Sequence, residues 1–411
     1  IRHRFGKIEE QISYIKECGF NAVLFNPPFE SERHGYDTVD FFKVDRRLGT
    51  NEEFKALVKK FHDAGIRVVL DGVFNHVGRR FAAFEDVKQR REASDKTGWF
   101  YLNFGGNSPY NDGFWYEGWE GHMELVKLNL QNEGVVDYIR RAVLFWIDEF
   151  GIDGLRLDVA YLLPEWFFEF LRRTVRERRD DFFLMAEVIH GQNFAKNLTP
   201  QRLDSMTNYE CYKGLTSALN SDNLFEIEHS LERLFGSQPW CLYTGKHLFS
   251  FVDNHDVVRA YTALQNKDKI FNMYAILYTM PGIPCIYYGS ECAAEGDKSD
   301  NDYKLRPCID DVDKNKRPDL LKFIQKLNAI RHSCRALSYG RYEKCVLSNK
   351  YMCYKRELDG ERIYCAFNIS GENVTVRVEE AEGTDLLTGE VRNLNDIYLP
   401  PYSVKLFRKN I

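Results

Sequence analysis

The 411-residue chain lacks four features that would each point to a class of protein. No apolar run approaches the roughly 18–20 residues of a membrane span, and no secretion signal is visible, so we expect a cytoplasmic protein. With 56 Lys and Arg against 61 Asp and Glu, a net charge of −5 and no basic stripe, nucleic-acid binding is not expected. None of the 10 cysteines forms a CxxC pair, which argues against zinc and favours reduced, mostly buried thiols.

Predicted helices and strands alternate over most of the chain, whose 44% hydrophobic and 28% charged residues are typical of a soluble globular protein. Apolar spacing predicts helices over 7–18 and 133–150, and Thr50 with Glu53 predicts a capping box on a helix that ends at Gly65. Buried strands are predicted at 21–28, 67–74, 151–160, 182–188, 205–210, 247–254 and 285–290. Such alternation implies parallel strands covered on both faces, and at this length an α/β fold of the (β/α)8 TIM barrel type fits best.

Two segments depart from this alternation. Residues 79–124 are rich in Gly, Asn and aromatics and predict a subdomain inserted after the third barrel strand, because a connecting loop is rarely so long. Residues 338–411 predict a C-terminal antiparallel β domain of the sandwich type, with turn signals such as Asp359-Gly360. The barrel would then occupy residues 1–337. Since the chain opens with a helix, we expect the first barrel strand to precede residue 1 and to be missing from this chain.

Polar side chains gather at the carboxyl ends of the predicted strands, where a parallel barrel builds its active face. They are Asp71 and His76 after one strand, Arg156 and Asp158 on the next, Glu187 on a third, and His255 and Asp256 on a fourth. A lone strand-end Asp is more often a turn residue and a lone His more often structural, whereas carboxylates on four strand ends favour a shared site. Arg156 and Asp158 share one strand face, so these two buried charges can pair. Tyr36 is compatible with either a packed aromatic or a site residue.

This set of side chains suits one kind of chemistry. Several carboxylates with His and Arg, but no Cys, favour a carboxylate nucleophile beside a carboxylic acid. That is the arrangement of retaining glycosidases, whose two carboxyl groups stand about 5–5.5 Å apart.

Four ordered segments carry a family resemblance: "DGVFNH" (71–76), "GLRLDVA" (154–160), "AEVIH" (186–190) and "FVDNHD" (251–256). They resemble the signature segments of the α-amylase family of glycoside hydrolases (family thirteen), and most of all its intracellular members such as cyclomaltodextrinase, neopullulanase and maltodextrin glucosidase. The resemblance implies a barrel with an insert and a C-terminal β domain. It also implies retaining hydrolysis of α-1,4-glucosidic bonds in maltooligosaccharides, maltodextrins or cyclodextrins, with transglycosylation as a side reaction.

The resemblance also implies a role for each matching residue. Asp158 would be the nucleophile that forms a covalent glucosyl-enzyme and Glu187 the general acid/base, with Arg156 orienting Asp158 and Asp71 supporting the site. The residues assigned to the sugar are Asp256 for hydroxyls and ring distortion, His76 and His255 for hydrogen bonds, and Tyr36 for stacking. The expected partner is an α-glucan oligosaccharide, with no nucleic acid and no membrane.

Departures from the family pattern leave alternatives open. Residues 159–164, "VAYLLP", lack the Lys-His and Asn-Glu pairs common after the nucleophile, which leaves the plus-side sugar preference unassigned and weakens the case for calcium. We therefore expect no cofactor, although Asn75 is a candidate calcium ligand. Aromatic residues of the insert fit either sugar stacking or a core: Trp115, Tyr116 and Trp119. One alternative function is that of a sucrose- or transfer-type transglycosylase of the same family. Another is that of a non-catalytic member resembling the heavy-chain partners of amino-acid transporters, but the complete carboxylate set argues against a non-catalytic role.

Overall fold

The structure, a computed structural model, describes residues 4–189, 194–298 and 302–409. His190, the last residue of the "AEVIH" segment, lies outside these ranges. By its internal contacts the chain divides into two compact units, residues 1–204 and 205–411. No helix within the described ranges is both long enough and apolar enough to cross a membrane.

The first unit alternates strands with helices. Its strands are β1 (Ala22–Phe25), β2 (Phe29–Ser31), β3 (Thr38–Val44), β4 (Arg67–Gly72), β5 (His76–Gly78), β6 (Leu102–Asn103), β7 (Trp115–Tyr116), β8 (Gly118–Trp119), β9 (His122–Lys127), β10 (Gly154–Leu157) and β11 (Phe183–Ala186). Its helices are α1 (Phe5–Glu9), α2 (Ile12–Glu17), α3 (Asn51–Asp63), α4 (Ala82–Arg90), α5 (Glu133–Phe145) and α6 (Glu165–Arg176). Strands β1, β4, β10 and β11 lie side by side in that order and are all parallel, as the sequence pattern predicts.

Helix α3 forms where its sequence signals place it. The Thr50 hydroxyl accepts a hydrogen bond from the Glu53 amide at 3.2 Å, and the Glu53 carboxylate accepts one from the Thr50 amide at 2.8 Å, so the predicted capping box is confirmed. The apolar face of the helix packs on β1, where the Phe25 ring meets Phe54 and Phe61 edge-on, each at a centroid distance of 5.9 Å.

Two predicted helices of this unit differ from the prediction. The helix expected over 7–18 is divided into α1 and α2. The helix expected over 133–150 ends as α5 and continues in a π-helical turn, Trp146–Phe150. Trp146, in that turn, stacks on Phe29 at 4.3 Å and donates a hydrogen bond to the Phe41 carbonyl at 2.6 Å, so the turn belongs to the aromatic core.

The predicted insert after β4 has its own small core. Strands β5, β9 and β8 form an antiparallel sheet, and β6 pairs with β7. Arg79 holds the Asp112 carboxylate through two hydrogen bonds of 2.9 and 2.8 Å. Of the aromatic residues left open by the sequence, Tyr116 is fully buried and belongs to this core, whereas Trp115 is 42% exposed.

The second unit holds further parallel strands and then an antiparallel sheet. Its strands are β12 (Ser205–Met206), β13 (Phe249–Phe251), β14 (Ile283–Cys285), β15 (Arg341–Leu347), β16 (Tyr351–Leu358), β17 (Glu361–Asn368), β18 (Val374–Val376), β19 (Glu382–Asp385), β20 (Val391–Asn393), β21 (Ile397–Leu399) and β22 (Val404–Lys409). Its helices are α7 (Tyr209–Asn220), α8 (Phe225–Phe235), α9 (Ala260–Ala263), α10 (Ile270–Thr279), α11 (Pro318–Ser333) and α12 (Arg335–Tyr339). Strands β13 and β14 pair in parallel. Neither unit's described strands close into a ring, so the structure shows parallel strands of the predicted fold without a closed barrel within one unit.

Three strand predictions in this unit are wrong in extent, and the strand expected over 247–254 is only β13. The strand expected over 205–210 is only β12, because the Asn208 side chain accepts a hydrogen bond from the Cys211 amide at 3.0 Å and caps α7 instead. The strand expected over 285–290 ends at Cys285, and Tyr287 beyond it lies against the Arg259 guanidinium at 4.0 Å.

The C-terminal sheet has the order β15-β16-β17-β22-β19-β20, and β18 pairs with β21 beside it. Both sheets contribute to one core: Cys353, Tyr364, Ala366, Val376, Val378, Leu394, Ile397, Leu399 and Phe407, called the C-terminal core below. The β16–β17 hairpin turns through Asp359 and Gly360, whose φ angles are 48° and 88°. Two consecutive positive φ angles are typical of the two-residue turn that the Asp-Gly pair predicts.

Candidate active site

Sheet register places the candidate residues of the first unit. Arg156 of β10 lies opposite Asp71 of β4, and the last residue of β10 lies opposite the last residue of β11. Asp158 and Glu187 each follow directly, so they leave neighbouring parallel strands at the same level. Backbone hydrogen bonds extend the pairing there, since the Asp158 amide donates to the β4 carbonyl of Gly72 at 3.1 Å.

One guanidinium contacts three carboxylates. Arg156 Nη1 bonds Asp71 and lies 3.4 Å from Asp158 Oδ1, while Nη2 lies 2.7 Å from Glu187 Oε1. All four side chains are buried. Burial disfavours the charged guanidinium, but the negative charges of Asp71 and Glu187 outweigh it, so the pKa of Arg156 is raised well above its ordinary value.

The pairing predicted from the strand pattern is therefore only part of the arrangement. The Arg156–Asp158 contact exists, but the closer contacts of the guanidinium are with Asp71 and Glu187. A single buried cation offsets the desolvation of three acids, and each acid is held in place by the same group.

Backbone geometry after β10 holds the second carboxylate. Val159 has φ 40° and ψ 43°, a left-handed conformation that is unusual for a β-branched residue. In it the Val159 amide donates to Glu187 Oε2 at 3.1 Å, and the Ala160 amide donates to the Glu187 carbonyl at 3.1 Å. The turn thus ties the segment carrying Asp158 to the side chain of Glu187.

Tyr36 joins this network, and His76 begins β5, the strand that follows β4. The Tyr36 hydroxyl donates to Asp71 Oδ2 at 2.9 Å. The Asn75 amide nitrogen lies 3.2 Å from His76 Nδ1, while His76 Nε2 is buried and has no hydrogen-bond partner among the described residues. Burial lowers the pKa of His76 to about 3, so its ring is neutral at neutral pH. Trp119 of the insert lies beside this ring at a centroid distance of 5.8 Å.

A contact between the insert and the loop after Asp158 is not predicted by the sequence pattern. The Tyr161 hydroxyl donates to Glu120 Oε1 at 3.2 Å, and burial together with the Glu120 charge raises the pKa of Tyr161 to about 12. Glu120 lies at the tip between β8 and β9 and has φ 46°. No periodicity links positions 41 residues apart, so only the folded chain reveals this pair.

The remaining candidates, His255 and Asp256, form a pair in the second unit. His255 Nε2 lies 3.0 Å from Asp256 Oδ2, and Arg306 Nη2 lies 2.9 Å from Asp256 Oδ1. Arg306 also donates through Nε to the His255 carbonyl at 3.0 Å. Arg306 was not predicted, because it stands in an irregular segment with no apolar pattern around it.

Asp253 precedes this pair and is buried. Its Oδ2 accepts hydrogen bonds from the Ser290 hydroxyl at 2.6 Å and the Ala260 amide at 2.8 Å, and burial raises its pKa. These bonds secure the segment that presents His255 and Asp256. Within the described ranges, no group of three or more His, Cys, Asp and Glu side chains is arranged to hold a metal ion.

The chain is similar to known proteins both in sequence and in structure. The family model "Alpha amylase, catalytic domain" matches residues 6–319. A cyclomaltodextrinase from a Bacillus species is 30% identical over 389 residues, covering 90% of this chain and 66% of that protein. An intracellular maltogenic amylase of Bacillus subtilis is 28% identical over 373 residues, covering 88% of this chain and 61% of that protein.

Among solved structures, the ligand-free cyclic α-maltosyl-(1→6)-maltose hydrolase from Arthrobacter globiformis superposes with a TM-score of 0.85. It is 26% identical, and the superposition covers 99% of this chain and 90% of that one. The chain spans 61% to 66% of the length of the two curated relatives named above.

Proposed function

The chain belongs to the α-amylase family of glycoside hydrolases, and from that membership we propose that it hydrolyses α-1,4-glucosidic bonds in maltooligosaccharides, maltodextrins or cyclodextrins. Family membership implies a TIM barrel followed by a C-terminal β domain. The substrate class is supported by the names of its relatives, a cyclomaltodextrinase and a maltogenic amylase. Because one relative is named intracellular, we propose an intracellular location here too.

The proposal rests on the two carboxylates joined by Arg156. Asp158 and Glu187 leave neighbouring parallel strands at one level, and such strands lie about 4.7–4.9 Å apart. Retaining glycosidases need their two carboxyl groups about 5–5.5 Å apart. The register thus supports a retaining mechanism rather than an inverting one.

In the first half-reaction, an Asp158 carboxylate oxygen attacks the anomeric carbon while the bond to the leaving glycosidic oxygen breaks. Glu187 donates its proton to that oxygen, and the shortened glucan departs. Arg156 Nη1 lies 3.4 Å from Asp158 Oδ1, and its positive charge stabilises the negative carboxylate that a nucleophile requires.

In the second half-reaction, the Glu187 carboxylate accepts a proton from water, whose oxygen attacks the anomeric carbon and releases Asp158. A sugar hydroxyl in place of water gives transglycosylation. The remaining roles are assigned by the family pattern alone: sugar stacking to Tyr36 and hydroxyl binding to His76 in the first unit, and hydroxyl binding to His255 and Asp256 in the second. A neutral His76 suits this role, because its free Nε2 can donate to or accept from a hydroxyl.

The test uses three variants with maltotriose and β-cyclodextrin as substrates. We expect Asp158→Asn and Glu187→Gln each to lose at least about a thousandfold in kcat/KM, since each removes a group that acts in the transition state. Asp137→Asn, which changes an exposed acid on α5, is the matched control and should keep its activity. Proton NMR of the first product should show the α-anomer. A β-anomer as first product would overturn retention, and equal activity of all three variants would overturn the catalytic assignment.

Sucrose serves as the competing substrate. A hydrolase of maltooligosaccharides leaves sucrose alone unchanged, whereas a sucrose-type transglycosylase releases fructose and builds a glucan. Fructose release from sucrose faster than glucose or maltose release from maltotriose would replace the proposed function with that alternative.

A further inference from the structure

A bulge in the C-terminal sheet brings two cysteines together. Strands β15 and β16 are antiparallel, and their pairing shifts between Lys344 and Val346, so Cys345 is the extra residue on β15. Val346 lies opposite Cys353 of β16. Two residues of β15 therefore share one partner, and that partner is a cysteine.

The side chains of this bulge point to the same face of the sheet. Cys345 and Val346 both pack against the C-terminal core, and Cys353 is a member of that core. In a regular strand, consecutive side chains would point to opposite faces, so the bulge is what places the Cys345 thiol beside Cys353. Cys365 of the next strand is paired with Tyr354 and so faces the other side.

The two thiols differ in exposure and acidity. Cys345 is half-buried, whereas Cys353 is 1% exposed. A hydrogen bond from the Cys353 thiol lowers the pKa of Cys345, and the positive charge of Lys355 adds to this. The same hydrogen bond and burial raise the pKa of Cys353. The accessible thiol is therefore the one that ionises more readily.

We propose that Cys345 and Cys353 form an oxidation site at which hydrogen peroxide converts two thiols into a cross-strand disulfide. The Cys345 thiolate attacks a peroxide oxygen, the O–O bond breaks, and the departing hydroxide takes up a proton to form water, leaving a sulfenic acid. The Cys353 sulfur then attacks the Cys345 sulfur, the S–O bond breaks, and the Cys353 proton leaves with that hydroxide as a second water. Two thiols are oxidised by two electrons, and one hydrogen peroxide is reduced.

The link would act on the hairpin that joins β15 to β16. Asn349 in its turn accepts a hydrogen bond from the Leu224 amide at 2.8 Å, so the turn is attached to the connection between α7 and α8. A covalent bond between the two strands next to this turn restricts the opening of the hairpin and, with it, the loosening of that connection.

Peptide mapping tests the proposal directly. Trypsin cleaves after Lys344, Lys350 and Lys355, which separates the two cysteines into peptides 345–350 and 351–355. The native full chain is treated with hydrogen peroxide, alkylated at low pH and digested. We expect the two peptides to appear joined by a disulfide and to separate after reduction with dithiothreitol. Cys308, an exposed thiol, reports oxidation that depends on exposure alone.

Two outcomes would overturn the site. Sulfinic or sulfonic acid on Cys345 without the linked peptides would show that Cys353 cannot resolve the sulfenic acid. Both thiols remaining reduced while Cys308 is fully oxidised would show that Cys345 is not reactive. In Cys353→Ser, checked for folding by circular dichroism, we expect a trapped sulfenic acid on Cys345 that a dimedone probe labels. Equal labelling of Cys345 in wild type and in this variant would also contradict the proposal.

Discussion

Arg156 controls the charge balance of the first unit's site. A buried carboxylate without a partner is costly, and here three carboxylates share one guanidinium. The strand pattern was enough to predict that Arg156 and Asp158 face the same way. The contact between Arg156 and Glu187 could not be predicted in the same way, because it depends on which strands are neighbours in the sheet. The spacing of residues along one strand does not indicate the strand order.

Replacing Arg156 should harm both stability and catalysis. Arg156→Met leaves buried acids uncompensated, and we expect the free energy of unfolding to fall by about 3–5 kcal/mol in urea titrations. Arg156→Lys keeps the charge but cannot span three carboxylates, so kcat/KM should fall at least about 100-fold. Arg141→Met, which breaks an exposed ion pair on α5, is the control and should change stability by less than about 1 kcal/mol. An equal loss in both methionine variants would contradict the compensating role.

His76 should make the protein sensitive to acid. Its folded-state pKa of about 3 lies below its ordinary value of 6.5, so between these pH values the unfolded chain binds the additional proton. The contribution of neutral His76 is complete above pH 6.5 and declines by up to about 1.4 kcal/mol per pH unit below it. Urea unfolding at several pH values should show a shallower acid dependence for His76→Gln. An unchanged dependence would mean that other groups account for the acid sensitivity.

At the scale of elements, capping and turn residues predicted the structure correctly, because each of them favours one local backbone conformation. The Thr50 capping box and the Asp359-Gly360 turn formed as predicted. Predicted strands were too long where a side chain makes a tertiary or capping contact instead. Asn208 caps α7, so β12 ends before it, and Tyr287 packs against Arg259, so β14 does not extend to it. Tertiary contacts of that kind cannot be inferred from apolar periodicity.

Gly360 offers a clean test of turn chemistry. Its φ is +88°, and a Cβ added there would meet no atom within 4 Å, so Gly360→Ala isolates the backbone cost. We expect the free energy of unfolding, measured by thermal or urea denaturation, to fall by about 1 kcal/mol in this variant. Gly6→Ala is the matched control, because that position in α1 is equally open but lies in a helix, where alanine should stabilise slightly. Stabilisation by both substitutions would contradict the turn assignment.

At the scale of the molecule, the C-terminal sheet is bound to the helices that precede it in the second unit. Arg356 of β16 is buried and donates to the carbonyls of Thr279 at 2.6 Å, Leu337 at 3.0 Å and Gly340 at 2.7 Å. Thr279 is the last residue of α10, Leu337 lies within the short helix α12 and Gly340 follows it, so one side chain from the sheet satisfies carbonyls at both helix ends.

A chain that stops after Gly340 should therefore fail to fold. It loses Arg356 and exposes the ends of α10 and α12 together with the apolar surface beneath the sheet. We expect aggregation in gel filtration and the absence of a cooperative transition in circular dichroism melting. A monomeric, cooperatively melting truncated chain would show that the remainder folds without the sheet, which would agree with the domain boundary at residue 338 predicted from the sequence.

Metal removal should leave the activity intact. The proposed hydrolysis, by a carboxylate nucleophile and a carboxylic acid, needs no Lewis acid, and Arg156 places a positive charge beside both carboxylates. After exhaustive dialysis against EDTA, kcat/KM on maltotriose should match that of the untreated protein. A loss that calcium restores would instead implicate Asn75 and its neighbours in metal binding.

The register that places Asp158 beside Glu187 also determines where the chain can change length. One residue inserted or deleted within β10 would turn Arg156 towards the opposite face and separate it from its three acids. Insertions in the surface turns of the insert would alter the protein's outline while leaving this register unchanged. Length variation in this chain is therefore expected to concentrate between residues 79 and 124 and to be excluded from residues 154–158.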